Sequence, residues 1–99
     1  MLCTWDLNKD RINRRKHGFG FETALRVFSD PFAMSEQDRT ADGELRWQTI
    51  GLIEGVMVVL VAHTFQDEPD GTTTVRIISA RRATSHERRR YEEERHRHL

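Results

Sequence analysis

The longest apolar run of this 99-residue chain covers residues 56–62, which is the length of a β-strand. A strand is predicted over residues 56–64, and because the apolar run is nearly uninterrupted, this strand should be buried on both faces in the middle of a sheet. Further strands are predicted at residues 2–5, 44–52 and 73–80, the last of which is rich in β-branched side chains. Residues 53–55 end in glycine and are typical of a hairpin turn, so the sheet should be antiparallel.

Two helices are predicted between the first strand and the rest of the sheet. Asp6 is a suitable N-cap for a helix over residues 7–17, and Gly18 fits the left-handed position that ends helices. A second short helix is indicated by apolar residues at helical spacing, which form one face: Phe21, Ala24, Leu25 and Phe28. It should end before Pro31, because the residue preceding a proline avoids the α region.

The remaining segments are polar. Residues 35–44 are predicted to be a loop, and residues 67–72 a second one. Thr84 and Glu87 form a capping box that opens a C-terminal helix whose only large apolar group before the last residue is Tyr91. The predicted fold is α+β: one domain over residues 1–99, with a small antiparallel sheet of three to four strands, two N-terminal helices packed on it and a polar C-terminal helix.

A net charge of zero hides a strong asymmetry along the chain. Residues 1–29 carry six Lys or Arg and three acids, residues 30–70 carry two and nine, and residues 71–99 carry eight and four. A neutral protein is poorly suited to attract nucleic acid by bulk charge, although a focused basic site can act locally. The acidic middle could face a basic partner or could simply keep the protein soluble.

Cysteine and histidine usage limits the chemistry. The single cysteine, Cys3, excludes an internal disulfide and fits a reducing compartment, and no signal-peptide pattern is present, so a cytoplasmic protein is expected. His17, His63 and His86 have no carboxylate or cysteine neighbours at ligand spacing, and His96 and His98 at the terminus could form only a weak adventitious site, so no structural or catalytic metal and no other cofactor is expected. Glycine-rich phosphate loops are absent, and no serine or cysteine has a base nearby in sequence.

The most informative segment for function is residues 76–84. A strand delivers Arg76, Arg81 and Arg82 to one region, directly before the capped helix that carries Tyr91. The planar fork of arginine fits phosphate oxygens, so the cluster is suited to holding a phosphodiester. The alternative is a solvated basic surface that pairs with acidic residues elsewhere in the chain.

Without a metal or a protein nucleophile, the chemistry that remains is cleavage of RNA, which carries its own nucleophile in the 2′-OH. Such cleavage needs a base, an acid and cations that stabilise charge on the phosphoryl oxygens. Arginines can supply the cations, and His63 or a lysine could serve as acid or base. The alternative for His63 is a hydrogen-bonded residue at a strand end, and Trp47 fits the core better than a base-stacking platform.

The chain resembles the BrnT toxins, which are ribonucleases of bacterial type II toxin–antitoxin systems with a RelE-like fold. The matching blocks follow one another along nearly the whole chain: Trp5-Asp6 with Asn8-Lys9; Asn13 with Lys16-His17-Gly18; Phe21-Glu22 with Ala24 and Val27-Phe28; Asp30-Pro31; Glu44-Leu45-Arg46 with Ile50-Gly51; Val61-Ala62-His63-Thr64; and residues 76–83 with Glu87 and Tyr91.

This resemblance implies an RNA-cleaving toxin that inhibits translation and growth. It also implies a partner, a BrnA-type antitoxin (a ribbon-helix-helix dimer) that silences the toxin and binds operator DNA. Carried over to matching positions, it assigns the phosphate and transition-state contacts to Arg46, Arg76, Arg81 and Arg82. His63 is a further catalytic candidate, and the RNA-binding candidates are Lys16, His17 and Tyr91.

Two other interpretations stay open from the sequence. The protein could be a non-catalytic module whose acidic middle and polar helix dock a basic partner, and which acts on DNA only within that complex. It could also be a degenerate toxin that keeps the fold and the partner but has lost activity.

Overall fold

The computed structural model describes all residues from 1 to 99, and its five strands form one mixed sheet in the order β1-β5-β4-β3-β2. The elements in chain order are β1 (Leu2–Trp5), α1 (Leu7–His17), α2 (Phe21–Ala24) with a 3-10 helix (Leu25–Ser29) directly behind it, β2 (Met34–Ala41), β3 (Glu44–Ile53), β4 (Met57–Asp67), β5 (Thr73–Arg82) and α3 (Ser85–Arg97). The α+β class and the central position of the apolar strand β4 are confirmed. The expected count of three to four strands is wrong.

The strand that the sequence did not predict is β2, which occupies most of the expected loop over residues 35–44. All its residues between Met34 and Ala41 are exposed, so it shows none of the apolar alternation that marks a half-buried strand. It lies at the edge of the sheet and is held by antiparallel pairing with β3, with an irregularity between Gln37 and Thr40. Backbone pairing alone therefore makes this segment a strand.

The expectation of a purely antiparallel sheet is also wrong, because β1 pairs with β5 in parallel, with Leu2 opposite Thr74 and Trp5 opposite Ile77. The two strands are separated by most of the chain, so no hairpin fixes their relative direction. All the other strand pairs are antiparallel, as the hairpin signals indicated.

Helix α1 is held to the sheet by buried polar side chains. Asp6 caps its start by accepting from the backbone N–H of Lys9, and Gly18 ends it with a φ of 84°. Asn13 accepts a hydrogen bond from the backbone N–H of Ala80 (3.1 Å) and donates to the carbonyl of Phe19 (3.0 Å). Helix α1 thereby satisfies the backbone N–H of Ala80 on β5, just beyond the point where β1 ends.

None of the helices combines the length and the apolar character needed to span a membrane.

The apolar core lies on one side of the sheet, which we call the helix face. Here α2 and the 3-10 helix pack on strand side chains, and the cluster consists of Phe19, Phe21, Ala24, Val27, Ile53, Val59, Val61, Val75, Ile77 and Ala80. Close packing requires Gly51 on β3, because a Cβ there would lie only 3.0 Å from the Cβ of Val27. The opposite side of the sheet carries arginines, and α3 crosses part of it.

Candidate functional site

A β-bulge in β5 decides which arginines share a surface. Residue His63 pairs with Ile77 and Ala62 pairs with Ser79, so Ile78 is an extra residue in the ladder. Strict alternation would place Arg76 and Arg81 on opposite faces, because they are five residues apart. The bulge reverses the alternation between them, and both side chains lie on the face opposite the helix face.

The third arginine on this face comes from β3. Trp47 pairs with His63, so Arg46 lies in the same cross-strand row as Thr64 and Arg76. We call the surface formed by Arg46, Arg76 and Arg81 the arginine face. Arg46 forms no salt bridge, and its Nε is inaccessible to solvent and lacks a hydrogen-bond partner in the protein.

The other two arginines of this face are paired with glutamates. Arg76 donates to Glu44 at 2.5 Å, and Arg81 makes two hydrogen bonds to Glu87 at 2.7 and 3.0 Å. The hydrogen bonds from Arg81 lower the pKa of Glu87 to about 2, so that carboxylate is a poor proton acceptor near neutral pH. The sequence left two possibilities for these arginines, a cluster suited to phosphate and a basic surface paired with acidic residues. The structure shows features of both, because the arginines share a face and two of them pair with glutamates.

His63 lies on the helix face and is fully buried, so the sheet separates it from the arginine face. Its Nδ1 faces the carbonyl oxygen of Thr64 at 3.2 Å, which can only accept, so Nδ1 carries the proton. Its Nε2 then accepts from the Thr49 hydroxyl at 2.7 Å, and Thr49 accepts from Ser35 at 2.7 Å. This placement argues against direct contact between His63 and RNA, and gives it a structural role in joining three strands.

Burial lowers the pKa of His63 below its ordinary value of 6.5. The unfolded chain therefore takes up a proton near pH 6.5 that the folded chain does not, and unfolding becomes easier as the pH falls below that value. We expect the free energy of unfolding to fall with a slope of up to about 1.4 kcal/mol per pH unit from this residue. Urea unfolding between pH 7 and 5 measures the slope.

His63→Gln should flatten that slope even if it lowers overall stability, whereas His86→Gln, at an exposed position on α3, should keep it. A His63→Gln protein with the wild-type slope would show that another group causes the acid sensitivity.

Tyr91 belongs to α3, and its side chain is almost fully buried between that helix and the rest of the protein. Its hydroxyl donates a hydrogen bond to Asp30. Burial, together with the Asp30 contact, raises the pKa of the Tyr91 phenol. Burial alone would raise the pKa of Asp30, but hydrogen bonds from the backbone of Leu52, from Tyr91 and from the backbone of Phe32 hold it below its ordinary value. Tyr91 therefore ties α3 to the sheet, and its ring is not available to RNA.

Lys16 and His17 lie at the C-terminal end of α1, where they line a shallow groove of about 240 Å³ together with Ile78 and Ser79. Ser79 pairs with Ala62 and belongs to the arginine side of the sheet, so this basic groove borders the arginine face. Arg82 pairs with Val59, which is a core residue, and so its side chain extends on the helix side. The structure thus groups three of the four predicted arginines and places Arg82 apart from them.

The rest of the surface offers no competing catalytic centre with metal chemistry. No group of three or more His, Cys, Asp or Glu side chains lies together in a geometry that could hold a metal ion. The largest cleft, about 460 Å³, lies between the 3-10 helix and α3. Its charges are balanced, because the Arg26–Glu54 ion pair lines it together with Asp30 and Arg95.

Some residues of the site were not identified from the sequence. Glu44 and Glu87 hold two of the arginines, while Thr64, Ser79 and Gln48 supply polar neighbours on the same face. The sequence does contain a signal for Gln48 and Thr64. Counting the alternating faces of β3 and β4 outward from the hairpin turn that joins them places both residues on the same face as Arg46. No local signal indicates the bulge at Ile78, on which the grouping of Arg76 with Arg81 depends.

The fold and this site define a small α+β domain with three arginines on one face of its sheet. A family model described as "Ribonuclease toxin, BrnT, of type II toxin-antitoxin system" matches residues 5–87, and the chain belongs to this family. The fold is similar to the 1.1 Å crystal structure of the Brucella abortus ribonuclease toxin BrnT. The TM-score is 0.59 and the identity 24%, over 86% of this chain and 100% of that one. No curated protein sequence is significantly similar to this chain.

Proposed function

We propose that this toxin cleaves RNA at the arginine face by attack of the substrate's own 2′-OH, without a metal ion. The observation that carries the proposal is the row of Arg46, Thr64 and Arg76 across three strands, with Arg81 on the same face. Guanidinium groups directed at one phosphodiester stabilise the charge that develops on its oxygens during attack. Membership of a family of ribonuclease toxins supports RNA as the substrate.

Arg46 is the arginine that is ready to bind a phosphate. It forms no salt bridge within the protein, so no acidic partner has to be released before its guanidinium contacts a phosphate. Arg76 is also accessible, because both it and Glu44 are nearly half exposed, and an exposed ion pair of this kind stabilises a protein by only about 0–1 kcal/mol. An RNA phosphate can therefore replace Glu44 at small energetic cost.

Proton transfer is assigned to the groove beside the arginine face. Burial removes His63 from consideration, and the low pKa of Glu87 makes it a poor base. Lys16 and His17 line the adjoining groove and are the groups that we propose as acid or base, or as contacts to the RNA backbone. We assign Arg82 to a peripheral RNA contact, because its side chain extends on the other side of the sheet.

The partner that we propose is a BrnA-type antitoxin, a ribbon-helix-helix dimer that silences the toxin and links it to operator DNA. Membership of a family of toxins from type II toxin–antitoxin systems supports an antitoxin as the partner. In the free state the toxin would inhibit translation and growth by cleaving cellular RNA in the cytoplasm.

Cleavage of total RNA by the purified protein is expected to survive an excess of EDTA. The reason is the lack of any ligand cluster on the arginine face or elsewhere. Attack by the 2′-OH should leave a 2′,3′-cyclic phosphate, which end-labelling and mass spectrometry can detect. Loss of activity in EDTA with recovery on adding Mg²⁺ would contradict the proposed mechanism.

A second function is favoured by the ion pairs of Arg76 and Arg81. Because glutamates neutralise two of the three arginines, the protein could be a degenerate toxin or a non-catalytic module that binds its antitoxin and acts only within the antitoxin–DNA complex. The same RNA assay separates the two functions. A protein that binds the antitoxin with high affinity but leaves RNA intact at high enzyme concentration would fit the second one.

A further inference from the structure

The helix face is covered over only part of its area. At the end of the sheet away from α2, Leu45 and Phe65 remain 42% and 38% exposed, and Trp47 beside them is half-buried. Their positions in the ladder place all three on the helix face, since Trp47 pairs with the buried His63 and Phe65 pairs with the core residue Val75. We call these three residues the aromatic patch.

The aromatic patch is continuous with the core. The rings of Trp47 and Phe65 meet edge to face with centroids 5.1 Å apart, and Phe65 meets the His63 ring at 4.7 Å. On its other side His63 meets the ring of Phe28 at 5.1 Å. Rings that are held in this way lose little conformational entropy on binding, so the patch is pre-organised to receive another apolar surface.

The border of the aromatic patch is acidic. The β2–β3 and β4–β5 turns lie at this end of the sheet, and they contribute Asp42, Asp67, Glu68 and Asp70. None of these four carboxylates takes part in a salt bridge. No Lys or Arg occurs in residues 40–45 or 66–75. The patch is thus an apolar centre with an uncompensated negative rim, which we call the acidic rim.

We infer that the aromatic patch and its acidic rim are the surface on which the antitoxin docks, an inference that rests on the proposed function. The acidic rim repels RNA, and a second copy of this chain would place the same carboxylates against each other. A protein that presents apolar side chains flanked by Lys or Arg satisfies both parts of the surface. An antitoxin that also binds operator DNA is expected to be basic, and it fits this description.

The position of the aromatic patch separates the proposed antitoxin binding from the proposed RNA cleavage. The patch is on the opposite side of the sheet from Arg46, Arg76 and Arg81, so its residues are not part of the proposed RNA site. Variants of the patch should therefore weaken antitoxin binding while leaving RNA cleavage by the free toxin unchanged. The docked antitoxin must then reach the arginine face with a separate segment.

The test measures binding of the purified toxin to the protein encoded in the adjacent reading frame, tested as the antitoxin, by titration calorimetry. Truncation of a central aromatic anchor commonly weakens an interface by about thirtyfold, and this is the expected increase in Kd for Phe65→Ala. Leu45→Ala should also increase the Kd. Because the Leu45 side chain is already 42% exposed, this variant should still fold. The matched control is Val56→Ala, because Val56 is 87% exposed at the opposite end of the sheet.

The acidic rim is tested by association rates at low and physiological salt. Asp42→Asn combined with Glu68→Gln should slow association at low salt and reduce its salt dependence, whereas Glu22→Gln on α2 should not. Each variant is also assayed for cleavage of RNA in the absence of the partner.

Three results would overturn the inference. The first is wild-type affinity in both patch variants. The second is a wild-type dimer, seen by light scattering, that Phe65→Ala converts to a monomer, because the patch would then be a self-association surface. The third is loss of RNA cleavage by free Phe65→Ala or Leu45→Ala. Absence of RNA cleavage in the wild type, with patch-dependent antitoxin binding intact, would instead support the docking surface and remove the proposed catalytic function.

Discussion

Arg46→Ala is expected to lower the rate of RNA cleavage by about a hundredfold or more, which is the usual effect of removing one donor that stabilises transition-state charge. Arg46 lies in the cross-strand row with Thr64 and Arg76, and it is the arginine of this face without an acidic partner. Arg46→Lys should restore little activity, because an ammonium cannot reproduce the two-pronged contact of a guanidinium. Single-turnover cleavage of a labelled RNA measures both effects.

A matched control for this prediction is Arg88→Ala, since Arg88 is exposed on α3 and takes part in no salt bridge. Arg76→Ala and Arg81→Ala should also lower the rate, and Arg82→Ala should have a weaker effect because its side chain lies on the other side of the sheet. Wild-type cleavage by the Arg46, Arg76 and Arg81 variants together would place the active site elsewhere.

Tyr91→Ala is expected to lower the free energy of unfolding by about 3–5 kcal/mol, the range for removing a large buried aromatic side chain. Tyr91 is the one buried residue of α3, so its loss should also detach that helix from the sheet. Tyr91→Phe keeps the ring but leaves Asp30 without one of its donors, and it should cost about 1–3 kcal/mol. Urea unfolding measures the stability, and proteolysis of α3 measures its detachment.

The control for the helix is Glu92→Ala, which removes an exposed side chain next to Tyr91 and should change stability by no more than about 0.5 kcal/mol. If Tyr91→Ala unfolds at the wild-type urea concentration, then α3 is not anchored by this residue. In that case the ion pairs Arg90–Glu36 and Arg81–Glu87 must hold it.

Local signals in the sequence predicted the elements whose formation is itself local. The Asp6 cap, the Gly18 terminator and the capping box of Thr84 with Glu87 all occur as expected, because each depends on residues within one helical turn. The turn after β3 was also predicted, since Gly55 has the positive φ that such a turn requires. Strand β2 was missed because its side chains are exposed on both faces and only the pairing partner makes it a strand.

The candidate site was less predictable, because face and burial depend on long-range register. Arg76 and Arg81 share a face only because of the bulge at Ile78, and no residue pattern predicts that bulge. His63 was a candidate acid or base from the sequence, but its position on β4 buries it against Phe28. Tyr91 lies in an otherwise polar helix, and its hydroxyl bonds to Asp30, a residue 61 positions away that no local pattern connects with it.

The most direct test of RNA binding at the arginine face is an NMR titration of the isotope-labelled toxin with an RNA whose 2′-OH groups are methylated, so that it binds but is not cleaved. If RNA binds at the arginine face, the guanidinium signals of Arg46, Arg76 and Arg81 shift, while the signals of the aromatic patch on the opposite face stay unchanged. Shifts confined to Leu45, Trp47 and Phe65, with the arginine signals unmoved, would contradict RNA binding at the arginine face.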